Sequence, residues 1–231
     1  MYDACTLPLR PELVAAHETA WHAIAGPGTF WTGAERISIV EEARHALACE
    51  LCTARKAALS PASVRGAHTS LGQLSDAAVE AIHMIRNDPG RLTRRWFDAV
   101  LAAGLSREAY VELVGVMNTA TIIDGFARGI GLEPAALPPP KAGEPARVAN
   151  DKVVDVGGWV PVLAVEDGEG IGGMPSAPMI GRAMGLVPEA ITLFISVVRA
   201  HYNLAAFPCD LSRPQIELIA ARVSAINECF Y

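Results

Sequence analysis

Five cysteines carry most of the chemistry this sequence can offer, and two of their settings are patterned. Cys49-Glu50-Leu51-Cys52 is a complete C-x-x-C. On a helix, thiols at i and i+3 share a face, close enough for disulfide chemistry after local adjustment. The second setting is LSRPQIELIAARVSAINECFY, in which Glu217 stands twelve residues before Cys229. On one straight helix these two would lie roughly 18 Å apart along the axis and about 120° apart around it. They could not act together. If they cooperate, the helix breaks near Asn227 and Cys229 opens a second helix, whose free N–H groups and dipole favour a thiolate. The plain alternative is a buried apolar thiol and a solvated helix charge.

The terminal stretch has strong helix signals. Ser212 and Gln215 form a capping box, and Leu211 and Ile216 a hydrophobic staple. Ile216, Ile219, Val223, Ile226 and Phe230 recur at three- and four-residue steps. Glu217 and Asn227-Glu228-Cys229 resemble the core of the alkylhydroperoxidase D-like, or carboxymuconolactone decarboxylase-like, family: an acid, about a dozen residues, Asn-x-Cys-x-x-Cys, then His. The second cysteine and the His would fall beyond Tyr231. One explanation is specific: the reading frame continues through a UGA codon for selenocysteine, with a His four residues further on. Natural degeneration and engineered truncation are the others. The resemblance extends weakly to Trp31–Leu132 and Pro175–Tyr231 as two diverged units.

The resemblance implies an all-α bundle and a thiol- or selenol-dependent peroxidase or disulfide reductase. Its attacking group would lie one residue past Tyr231, Cys229 would resolve the oxidised product, and Glu217 would assist proton transfer. It implies a hydroperoxide substrate, a thiol electron donor, a homo-oligomer and no organic or metal cofactor. The alternative function is a non-catalytic helical scaffold with a vestigial redox core.

Cys49 and Cys52 depart from the family pattern. Lys56 stands where the family has His, and Ile37 where it has the acid; Glu41 and Glu42 are nearer but off register. Arg55 or Lys56 could lower a thiol pKa, but neither relays protons readily at neutral pH. The pair reads either as a second redox site or as core filler in a degenerate repeat. Zinc needs two further ligands and no second cysteine pair exists, so spacing assigns no metal. His45, four before Cys49, could serve as a base or be an ordinary helix residue. His17, His22, His68, His83 and His201 show no ligand-like spacing. Asp124 and Arg128 read as an i,i+4 helix ion pair. Gly168 to Gly173 is a loop without the context of a phosphate cradle.

Half the residues are apolar (51%), 19% are charged, and aromatics are sparse at 6%, which favours packed helices. A net charge of −6 argues against nucleic-acid binding. No uncharged apolar run is long enough to span a membrane. The absence of an export signal and the odd cysteine count predict a reducing, cytoplasmic setting. Helices are expected at Pro11–Ala25, Thr32–Leu59 (opened by a Thr32/Glu35 capping box), Asp76–Arg86, Arg91–Ala103, Arg107–Ile130, Ala177–Met184 and Pro188–Tyr202. The organisation expected is a helical part over 1–132, an irregular Pro/Gly-rich connector over 133–175 with extended backbone in Val153–Val165, and a helical part over 176–231.

Overall fold

A computed structural model describes residues 1–166, 169–171, 176–202 and 209–226. The described residues form nine α-helices and one two-stranded antiparallel sheet, an all-α fold. The chain divides into two compact units, Met1–His201 and Tyr202–Tyr231.

The first unit opens with α1 (Pro11–Ile24), started by a proline at its first turn. α2 (Gly33–His45) has the expected capping box: Thr32 Oγ1 accepts from the Glu35 N–H, and the Thr32 N–H donates to Glu35 at 2.8 Å. After α3 (Glu50–Ala57) comes an irregular stretch, then α4 (Asp76–Asn87), α5 (Arg94–Ala102) and α6 (Arg107–Gly129). Ser75, Thr93 and Ser106 cap these three through their hydroxyls. α6 stops where Gly131 takes φ +79° and the Leu132 N–H turns back to the Ala127 carbonyl, a left-handed C-terminal cap. α7 (Met179–Met184) and α8 (Pro188–His201) complete the unit.

α6 is the central strut. α8, α2 and α4 pack on it, and α1 packs on α8. Leu113, Val116, Met117 and Ile123 of α6 meet Ile24, Ile39, Ile82 and Val197 in one core cluster. Burying each such side chain contributes about 1.5–3 kcal/mol. The Pro-rich connector is strapped to this core: Trp21 donates to the Ala136 carbonyl at 2.8 Å, and the Lys141 N–H donates to Ala25 at 2.8 Å. Its extended segment is a hairpin, β1 (Val153–Val154) with β2 (Val162–Leu163), whose Val153 packs beside Val111 and Leu186. Gly28 sits against the buried Glu112 carboxylate, where a Cβ would overlap it.

Two expectations change. The single helix over Thr32–Leu59 is broken. α2 ends at His45, Ala46–Ala48 forms one tight turn, and Cys49 is extended at φ −67° and ψ 121° before α3 begins. The Ala46 carbonyl accepts the Cys49 N–H within the turn at 3.2 Å and a second hydrogen bond from the Asn87 side chain at 3.0 Å, so a tertiary contact supports the break. Asp124 pairs with Arg44 of α2 instead of Arg128, through two hydrogen bonds of 2.8 Å. A bidentate guanidinium partner on a neighbouring helix outcompetes an i,i+4 neighbour.

The second unit holds α9 (Arg213–Ile226). The Ser212 N–H donates to Gln215 at 2.8 Å, the reciprocal half of the expected capping box. Leu218, Ile219, Val223 and Ile226 are exposed.

Candidate functional site

The break after α2 builds the site. Cys49 becomes the N-cap of α3, and Cys52 lies in that helix's first turn. The two thiols are therefore not i, i+3 neighbours within one continuous helix. Cys49 stands at a helix N-terminus, the setting expected for Cys229 only if it cooperates with Glu217. Cys49 is fully buried and Cys52 is 8% exposed.

Two histidines close over the sulfurs. His68, from the irregular stretch between α3 and α4, places Nδ1 3.5 Å from Cys49 Sγ and 3.4 Å from Cys52 Sγ. His83, on the buried face of α4, places Nδ1 3.5 Å from Cys52 Sγ. Each ring is held from behind by a carboxylate. His68 Nε2 lies 3.0 Å from Glu80, and His83 Nε2 lies 2.8 Å from Glu42. The carboxylates are held in turn. Trp96 Nε1 donates to Glu80 at 2.9 Å, and the Leu71 N–H donates to Glu42 at 3.0 Å. Each imidazole's Nε2–H is thus committed outward, and each Nδ1 faces the sulfurs.

The two thiols differ. Burial by itself raises the Cys49 pKa. Hydrogen bonding from the Cys52 N–H, Thr69 and His68 outweighs burial and brings it down to about 5. Cys49 sits at the N-terminus of α3, where the first N–H groups of the helix favour its anion. Cys52 is pushed up to about 12, by burial first and then by its neighbour Cys49. Burial would lower His68, but Glu80 and Cys49 prevail and raise it. The His68 hydrogen bond is the leading reason that Glu80 is held below the usual carboxylate range.

Glu42, Glu80, His68 and His83 do not stand out by spacing in the sequence. Glu42 was set aside as off register, yet it is fully buried and reaches His83. Its signal was its position on the apolar face of α2, between Ile39 and Ala46. His83 carried a similar signal beside Ile82. His68 carried none, since it lies outside any periodic element. His45 does not reach the cysteines as a base; its Nε2 is buried without a partner, because the break carries Cys49 away from the i+4 position. Lys56 is exposed, whereas Arg55 acts weakly on Cys52 through its charge.

At the terminal site, Glu217 is exposed and accepts hydrogen bonds from Tyr202, at 2.9 Å, and from Arg213. α9 is unbroken through Ile226; Cys229 and the expected break at Asn227 lie outside the described residues. An open cleft of about 460 Å³, lined by residues that include Arg36, Glu189 and Ser196, contains neither cysteine nor histidine. Among the described residues no helix is long and apolar enough to cross a membrane. No family model, curated protein or solved structure matches the chain.

Proposed function

We propose that Cys49 and Cys52 are the working redox pair of a thiol-dependent peroxidase. The observation that carries this reading is His68. One of its nitrogens serves both sulfurs, at 3.5 and 3.4 Å, while the other rests on Glu80. That is the nucleophile–base–orienter arrangement that activates a thiol. It is also the activity implied by the resemblance of the terminal motif to the alkylhydroperoxidase D-like family, moved to the N-terminal pair.

In this reading His68 accepts the Cys49 proton. The Cys49 thiolate attacks the distal oxygen of a hydroperoxide, the O–O bond breaks, and His68 returns the proton to the leaving alkoxide. Cys49 is then a sulfenic acid and the substrate an alcohol. The Cys52 sulfur displaces water to form the Cys49–Cys52 disulfide. An external dithiol reduces that disulfide and restores both thiols. Cys49 is fully buried, so the substrate must be small or the segment carrying His68 must move aside.

The test is peroxide consumption by the full chain with a dithiol donor and a metal chelator present. Turnover is expected, with a Cys49–Cys52 disulfide found by mass spectrometry when the donor is withheld. Cys49→Ser and Cys52→Ser should each abolish turnover. No turnover and no disulfide with hydrogen peroxide or a small alkyl hydroperoxide would overturn the reading.

A further inference from the structure

We propose that Cys49 and Cys52, when reduced, form with His68 and His83 a closed four-coordinate site for one zinc ion. The ligand atoms of all four lie within 4.8 Å of one another. In tetrahedral zinc, Zn–S of about 2.3 Å and Zn–N of about 2.0–2.1 Å put sulfur and nitrogen about 3.5 Å apart along each edge. Three sulfur–nitrogen separations here are 3.5, 3.4 and 3.5 Å. Three of the six edges of such a tetrahedron already have the required length, and all four ligand atoms lie within 4.8 Å of one another.

The direction of the lone pairs agrees with the spacing. With Nε2–H donated to Glu80 and Glu42, each imidazole turns its Nδ1 toward the sulfurs, where a metal ion would take the place of a proton. Four electron-pair donors then face one point, and a cation satisfies all of them together. A carboxylate behind each ligating imidazole is the usual outer shell of a zinc site, where it fixes the tautomer and strengthens the ligand. Two thiolates also balance the charge of a divalent ion, which reduces the cost of burying it.

The surrounding fold gives such an ion a structural task. Ala58 to Ser75 contains no helix beyond one tight turn, and its local apolar cluster is small: Cys49, Leu51 and Cys52, with Val64 against them. An irregular stretch of this length needs anchoring. A zinc ion would tie the start of α3, the irregular stretch and α4 together through four ligands from the chain, leaving no open position for water.

This inference goes beyond the redox reading and does not depend on it. The same two sulfurs cannot hold zinc and form a disulfide at once. The experiment titrates the reduced full chain with Zn²⁺ against a competing chelator, and with Co²⁺ followed by absorption. One ion per chain is expected. Cobalt should give thiolate-to-metal charge transfer and the intense visible bands of a tetrahedral site, a signature that requires no variant. Cys49→Ser and His68→Ala should remove tight binding, and Glu80→Gln should weaken it about 10–100-fold. His83 is fully buried and its replacement could unfold the chain, so His68 is the histidine tested. No stoichiometric uptake, or uptake unchanged in Cys49→Ser and His68→Ala, would overturn the proposal. Peroxide turnover without zinc uptake would remove this inference alone; zinc uptake without peroxide turnover would remove the redox reading alone.

Discussion

His68 and His83 stand with ring centroids 4.3 Å apart, and His17 and His201 stand 4.8 Å apart. Behind the first pair are the carboxylates of Glu80 and Glu42. Behind the second are a phenol and an aromatic ring: Tyr2 hydrogen-bonds to His17 Nδ1, and Phe126 packs edge-on against both imidazoles. His17 Nε2 meets His201 Nε2 at 2.7 Å, so one nitrogen must donate and the other accept. The consequences diverge. His68 is raised despite burial, whereas His17 is lowered to about 4, by burial first and then by His201. Arg10 adds to the lowering of His201, after burial. Glu80 and Cys49 outweigh burial at His68, whereas burial first and the neighbouring His201 second hold His17 toward its neutral form.

The comparison breaks most sharply at Glu42. Replacing it with alanine strips an acceptor from the His83 ring, the Leu71 N–H and the Ser70 hydroxyl, all at a fully buried position. Loss of about 3–5 kcal/mol is expected, as for breaking a buried pair, read from denaturant unfolding of the reduced, metal-free chain. A loss below about 1 kcal/mol would mean that the carboxylate does not organise the first pair.

The second pair should act in the pH dependence of stability. The folded pKa of His17, about 4, lies below its ordinary value of 6.5. Between these values the unfolded chain binds the extra proton and the folded one does not. Stability is therefore fully present above pH 6.5 and falls as the pH drops toward 4, by about 3 kcal/mol over the window. Tyr2, His201 and Phe126 surround the ring, with Arg10 near His201 and Asp124 and Glu18 near Tyr2. Unfolding measured at pH 7 and pH 4.5 should show the loss, and His17→Phe should flatten it. An unchanged slope in that variant would place the titration elsewhere.

The smallest effect belongs to Tyr2→Phe. It removes one neutral hydrogen bond to His17 and keeps the ring, so a loss of about 1 kcal/mol is expected from thermal or denaturant unfolding. Burial, followed by Asp124 and Glu18, holds the phenol well above its usual pKa, so this effect should not vary between pH 6 and 9.

Much of the framework is local physics and could be read from residues alone. The Thr32/Glu35 box, the proline at the start of α1, and the Gly129–Gly131 stop of α6 act over a single turn. The apolar periodicity of α4, α6 and α8 follows from helix geometry. The C-x-x-C also marked itself as a candidate. Its environment did not. The break at Ala46–Cys49 occurs in a run with no glycine or proline, and the side chain of Asn87, on another helix, donates to the Ala46 carbonyl there. The pairing of Asp124 with Arg44 joins residues 80 positions apart. His68 and His83 reach the sulfurs from an aperiodic stretch and from a separate helix, and Glu42 arrives from a third element. Capping and periodicity depend on near neighbours, so sequence determined the helices. The site depends on which helices pack together, and only the tertiary structure decided that.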